Sequence, residues 1–259
     1  MSTQPVNFFW DAPPAPPTLS GSDVHIWSAA LDRPMAQIQQ LAQTLSPNEA
    51  ARAQRFVFDR DREHYIVGRG LLREILSHYL KTPPARLQFR YGPQGKPELD
   101  TGPAPLHFNL SHSGGVVLYA VTRQQPLGVD VEAIRPLEDL EQIAEHFFSA
   151  AENSALRSLS PADKPTAFFN CWTRKEAFIK AVGEGLSYPL DQFDVTLTPG
   201  QPAQLLRVQN DPQATARWSL VALAPAPNYV AALAIETGQF QLNCWRWSTR
   251  AAGKSTSLF

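Results

Sequence analysis

Residues 170–185 read NCWTRKEAFIKAVGEG, and the reading of this stretch decides the architecture. Phe168, Cys171, Trp172, Ile179 and Val182 recur at three- and four-residue spacing, which gathers them on one face of a helix. Glu176 stands at the edge of that face and Lys180 one turn further on, at i+4. Gly183 and Gly185 then stop the helix. Lys175 falls inside the apolar arc, where a lysine either snorkels or meets an anion. Taken alone, the stretch fits a surface helix with a Glu–Lys pair worth about 0.2–0.5 kcal/mol. The other reading, a helix that holds half of an active site, depends on what the rest of the chain brings to Glu176.

Upstream, residues 127–132 read LGVDVE and form a strand. A period of two sets Gly128, Asp130 and Glu132 on one face, and Leu127, Val129 and Val131 on the other. Neighbouring carboxylates repel unless a divalent cation or a basic partner stabilises them; the alternative is a half-exposed strand with acidic outward residues. Before it, the strand 106–110 runs into the small polar loop Ser111-His112-Ser113-Gly114-Gly115, followed by a buried strand at 116–121. The turn 92–97 carries Lys96 beside glycines that let backbone approach a ligand.

Asp130, Glu132 and Glu176 are three hard oxygen donors, and Lys175 and Lys180 accompany the last of them. Mg2+ takes oxygen ligands, typically one or two carboxylates together with substrate phosphates. The set therefore points to metal-assisted chemistry on a phosphate ester or anhydride, with Ser111, His112 and Lys96 as further donors to phosphate oxygens. A Walker loop, GxGxxG and GxSxG are all absent, which argues against the common NTPase, Rossmann and hydrolase readings. Ser111 beside His112 is not a triad, because neighbours on an extended chain point apart.

Elsewhere, residues 1–22 form an irregular arm with Phe8, Phe9 and Trp10 as a candidate anchor. A strand at 24–29 and helices at 35–44, 47–56 and 61–79 follow. The second of these helices opens with the cap Ser46-Pro47-Asn48-Glu49. Arg52, Arg55, Arg60, Arg62, Arg69 and Arg73 read mostly as a solvated helix face. Ser149 and Glu152 match a second capping box, which by itself accounts for Glu152. After the helix of the opening, 193–198, 203–209, 217–224, 229–235 and 240–247 alternate like strands. The two parts of the chain share a coarse order of strand, helices and strands.

The 259 residues fit one large or two modest domains, and 43% apolar with 18% charged content supports a substantial core. A net charge of −1 carries no basic excess for nucleic acid. The N-terminus lacks the regions of a signal peptide, and no apolar run approaches a membrane span. Cys171 and Cys244 lie far apart, and neither has metal-like spacing. A soluble cytoplasmic protein is expected.

FNLSHSGG at 108–115, GVDVE at 128–132 and WTRKEAFIKAVGEGL at 172–186 together resemble, in order and spacing, the three motifs of the 4′-phosphopantetheinyl transferases. The larger type, typified by the surfactin-synthetase activator of bacilli, is the one they resemble. SPNEAARAQRF at 46–56, GKP at 95–97 and FFSAAE at 147–152 are similar to its supporting segments, so that the likeness runs over about residues 46–195. The resemblance implies an α+β monomer of two similar halves, 23–126 and 127–259, with the site in the cleft between them. It implies Mg2+-dependent transfer of phosphopantetheine from coenzyme A to a serine of an apo acyl or peptidyl carrier protein, releasing adenosine 3′,5′-bisphosphate. Asp130, Glu132 and Glu176 fall on the family's metal ligands. Glu176 is also its favoured base, and Lys180 is placed to neutralise or protonate the leaving bisphosphate. Arg52, Lys96, Pro97, Asn109, Ser111, His112, Asp130, Lys175 and Lys180 match positions at the coenzyme. Glu176 as base or as ligand only stays open. A metal-dependent nucleotide pyrophosphohydrolase and a non-catalytic module for coenzyme A or a carrier are the alternatives.

Overall fold

Strand β1 (Asp23–Ala30) leads into α1 (Met35–Ala42), α2 (Pro47–Ala53) and the long α3 (Asp59–Leu80). The short strands β2 (Phe89–Tyr91) and β3 (Pro97–Leu99) then pair as a hairpin, and β4 (His107–Ser113) and β5 (Val116–Thr122) close the first half. The second half opens with β6 (Leu127–Ala133), followed by α4 (Leu140–Phe147), α5 (Ala150–Arg157) and the long α6 (Lys164–Val182). Strands β7 (Phe193–Val195) and β8 (Leu205–Val208), helix α7 (Ala214–Arg217), and strands β9 (Ser219–Leu223), β10 (Tyr229–Ile235) and β11 (Gln241–Arg246) complete it. This computed structural model describes residues 10–13, 17–92, 95–99 and 106–247.

The two halves repeat one plan. In each half the first strand pairs antiparallel with the second strand of a later hairpin, whose first strand lies outermost: β1-β5-β4 in one half and β6-β10-β9 in the other. A long helix covers each sheet. Val67, Leu71, Leu72 and Ile75 of α3 pack on Trp27, Ala29, Val117 and Tyr119; α6 packs its apolar face on Ala232 and Ala234. The opposite faces of the two sheets bury Val24, Ile26, Leu118 and Ala120 against Val129, Val131 and Leu233. The α+β architecture with two similar halves agrees with the expectation.

The halves are not separate in chain order. Strand β11 pairs parallel with β1, so the end of the described chain joins the first sheet, and Asp11 bridges to Trp245 beside it. Trp10 packs onto the core between the sheets; Phe8 and Phe9 lie outside the described residues. Among the described residues no helix is long and apolar enough to cross a membrane.

Two further departures from the sequence reading bear on the site. Ser111, His112 and Ser113 do not form a loop: they are the end of β4, paired with Leu118, Val117 and Val116, and the turn is Gly114-Gly115, both at positive φ. Arg69 and Arg73 are not solvated. Both are buried on α3 and reach back to the Glu49 carboxylate of the α2 capping box, at 2.7 and 2.6 Å.

Candidate active site

The site begins where α6 crosses β6. A Cβ on Gly128 would stand 2.0 Å from Ala177 O and 2.5 Å from Ala181 N, so only glycine lets the helix lie this close. Two residues along the same strand face comes Asp130, and Lys180 of α6 descends onto it. Lys180 Nζ donates to Asp130 Oδ1 at 2.6 Å. The next residue on that face is Glu132, and Glu176 stands one turn before Lys180 on the helix.

Strand β4 runs alongside β6 and presents a seam of alternate polar side chains. Asn109 Oδ1 accepts from the backbone N–H of Val129, Ser111 Oγ donates to Asp130 Oδ1 at 2.6 Å, and Ser113 Oγ donates to Glu132 Oε2 at 2.6 Å. Period two puts all three on one side of β4. The sequence reading takes Ser113 only as part of a polar loop; its spacing of two from Ser111 and four from Asn109 is the signal that it joins them. Asn109 is thus a brace for β6, and Ser111 orients the carboxylate of Asp130.

A cavity of about 600 Å3 opens here. Ser111, His112, Asp130, Glu132, Glu176 and Lys180 line it. Phe147, Trp172 and residues 188–191 also line it, a contribution the sequence did not reveal because Phe147 and Tyr188 come from separate elements. Trp172 stacks on Phe168 at 5.9 Å while also lining this space, so it is both anchor and wall. A second cavity of about 570 Å3 shares His112 and is lined by Arg52, Tyr65, Arg69 and Pro97. Arg52 lies over the Tyr65 ring, 5.6 Å from its centroid. Lys96 Nζ donates to the carbonyl of Lys180 at 2.7 Å, tying the hairpin of the first half to α6 of the second.

The electrostatics follow from this crowding. Burial raises the pKa of Glu176; Lys180 opposes the shift, while the Asp130 and Glu132 charges add to it. Burial lowers the pKa of Lys96, helped by Lys180 and opposed by Glu98. The His112 imidazole is lowered as well, first by desolvation and then by Lys180 and His64, with Asp130 opposing. Lys175 belongs to none of this: it is fully buried, lines neither cavity and pairs with Glu152 at 2.8 Å. Its anion is a protein carboxylate.

Among the described residues, no three histidine, cysteine or acidic side chains are gathered closely enough to form a ready metal site. The side chains explain that spacing. Lys180 and Ser111 hold Oδ1 of Asp130, and Ser113 holds Glu132, with Arg135 beyond it at 3.5 Å. Yet Asp130 Oδ2 is buried without any hydrogen-bond partner. An orphaned carboxylate oxygen beside two more carboxylates is a donor set that suits a hard divalent cation.

Two family models match in succession. The 4′-phosphopantetheinyl transferase N-terminal model covers residues 31–124, and the 4′-phosphopantetheinyl transferase superfamily model covers 126–234. The 4′-phosphopantetheinyl transferase HetI of Nostoc sp. is 42% identical over 238 residues, 90% of this chain and 97% of HetI. The chain belongs to the 4′-phosphopantetheinyl transferase superfamily. Sfp of Bacillus subtilis is 34% identical over 66% of the chain and 76% of Sfp, and psf-1 of Bacillus pumilus is 42% identical over 65% and 71%. Its enzyme class is that of a transferase. The boundary between the two family models falls between β5 and β6, so both contribute to the cleft: Ser111 and His112 from one, Asp130, Glu132, Glu176 and Lys180 from the other.

Proposed function

We propose that this transferase moves 4′-phosphopantetheine from coenzyme A to a serine hydroxyl of an apo acyl or peptidyl carrier protein, with Mg2+, and releases adenosine 3′,5′-bisphosphate. The observation that carries the reading is the buried, unpartnered Asp130 Oδ2 in a cavity that Glu132, Glu176 and Lys180 also line. Asp130, Glu132 and Glu176 would hold the cation. When bound, Mg2+ supplies positive charge at the pyrophosphate oxygens as the phosphorus–oxygen bond breaks.

The chain's own residues divide the remaining work. In this proposal Arg52, Lys96 and Pro97 bind the nucleotide end, with His112 and Ser111 as donors at the junction of the cavities. The serine oxygen forms the new bond to phosphorus, and the bridging oxygen leaves with the bisphosphate. The raised pKa of Glu176 suits it to accept the serine proton, directly or through water. The Lys180 ammonium lies beside Asp130 and stabilises charge on the leaving oxygen. Because one chain supplies both sides of the cleft, a monomer suffices, and the cytoplasm is where coenzyme A and carrier proteins meet.

The test mixes the protein with coenzyme A, Mg2+ and a panel of apo carriers and follows intact carrier mass. A gain of one phosphopantetheinyl group on one serine is expected. No gain on any carrier, with Mg2+ present, overturns the proposal. Nucleotide pyrophosphate hydrolysis without a carrier would replace it with a phosphohydrolase.

A further inference from the structure

Lys175 immediately precedes Glu176, yet at about 100° round the helix from it it does not line the cavity. Its Nζ meets Glu152 Oε2 at 2.8 Å and donates to the carbonyl oxygens of Leu190 and Phe193, each at 2.6 Å. All three ammonium hydrogens are used. Glu152 is itself fixed, accepting the backbone N–H of Ser149 at 2.9 Å and of Val195 at 2.8 Å. Leu190 belongs to the segment 188–191, which lines the same cavity as Glu176 and Lys180. One buried ammonium therefore joins the catalytic helix to a segment that lines the same cavity.

The first half contains the same connection without a catalytic edge. Arg73 of α3 meets Glu49 of the α2 capping box and donates to the carbonyls of Pro84 and Leu87, at 2.9 and 3.1 Å, with Phe89 under its guanidinium at 5.0 Å. In the second half Phe193 lies 4.2 Å from Lys175 Nζ. The parallel shows that an arginine fills this role in this fold.

We infer that Lys175, held by Glu152, is the positioning residue that sets the spacing between the Glu176–Lys180 edge and the 188–191 wall, and with it the opening through which the acceptor serine reaches Glu176. The inference rests on the transferase reading of that cleft. Segment 188–191 does not line the cavity that carries Arg52 and Tyr65, so the tether acts on the acceptor and leaves donor binding alone.

Lys175→Met strands the buried Glu152 charge and is prone to misfold. The double variant Glu152→Gln/Lys175→Met removes both charges, and glutamine still serves the capping box. Lys175→Arg borrows the solution of the first half. For the folded double variant, kcat/KM with varied carrier should fall about a hundredfold, while the coenzyme A Kd stays within about twofold. Lys175→Arg should recover most of the loss. Equal loss of coenzyme A sites and of kcat at constant carrier KM would mean only fewer folded molecules and would overturn the inference, as would an unchanged kcat/KM. A wild-type protein that transfers nothing would instead remove the transferase reading on which it rests.

Discussion

Replacing Gly128 by alanine adds one methyl group at the closest contact between α6 and β6. That methyl carbon would sit 2.0 Å from Ala177 O, 2.5 Å from Ala181 N and 2.9 Å from Lys180 Cβ. Two of the three obstacles are helix backbone, which has no rotamer to escape into. Ordinary contact begins at 3.4 Å, so strand and helix must part by roughly 1.4 Å. The Lys180–Asp130 contact of 2.6 Å then opens to about 4 Å, beyond hydrogen-bond range. Overpacking of this kind costs about 1–3 kcal/mol, which for a chain of this size is a fall in Tm of roughly 2–12 °C. Displacement of Glu176 and Lys180 by about 1 Å or more lowers turnover about a hundredfold. Thermal melting followed by circular dichroism and transfer onto an apo carrier measure the two effects together. A Gly128→Ala protein with wild-type Tm and wild-type turnover would refute the claim that this glycine sets the geometry of the site.

Asp130→Ala and Glu176→Ala should each reduce transfer by at least about 10²-fold; full activity in either, read by carrier mass, would remove that residue from the metal-holding set. Arg52→Ala or Lys96→Ala should raise KM for coenzyme A by about 10- to 100-fold with kcat little changed, the worth of one hydrogen bond to a charged group. An unchanged KM would place the nucleotide elsewhere. The third expectation concerns acid. Burial drives the His25 imidazole from 6.5 down to about 4, with Asp23 opposing, and Tyr79 OH lies 2.8 Å from its ring nitrogen. The unfolded chain binds that proton first, so stability is present above pH 6.5 and is lost as pH falls toward 4. The loss amounts to about 3 kcal/mol. Urea denaturation of wild type and His25→Phe between pH 7 and 4 should show a flatter profile in the variant by that amount; parallel profiles would contradict it.

Much of the site was legible because local periodicity carries it. A period of two on β6 aligned Gly128, Asp130 and Glu132, and a period of 3.6 on α6 put Glu176 and Lys180 on one edge; the structure assembles both on the same cleft. Partners distant in sequence were not legible. The apolar setting of Lys175 announced an anion, but Glu152 is 23 positions away and already had a sufficient explanation as a helix cap. Arg69 and Arg73 read as solvated for the same reason, since the carboxylate that buries them belongs to another helix. Ser111-His112-Ser113 looked like a loop from its composition, and pairing with β5 overrode that preference. Helix α4 has only eight residues, too few for a firm periodic signal, although Leu140 and Ala144 do mark its buried face. The parallel partnership of β11 with β1 has no local signature at all.

In the proposed function, three carboxylates from β6 and α6 hold a divalent cation that serves phosphopantetheine transfer. Its most direct measurement is the intact mass of an apo carrier incubated with this protein and coenzyme A, first after chelation and then after Mg2+ is restored, for wild type and Asp130→Ala side by side. The expected result is a gain of one phosphopantetheinyl group by the carrier only with wild type and only with Mg2+. Equal gain after thorough chelation, or with Asp130→Ala, would contradict the account.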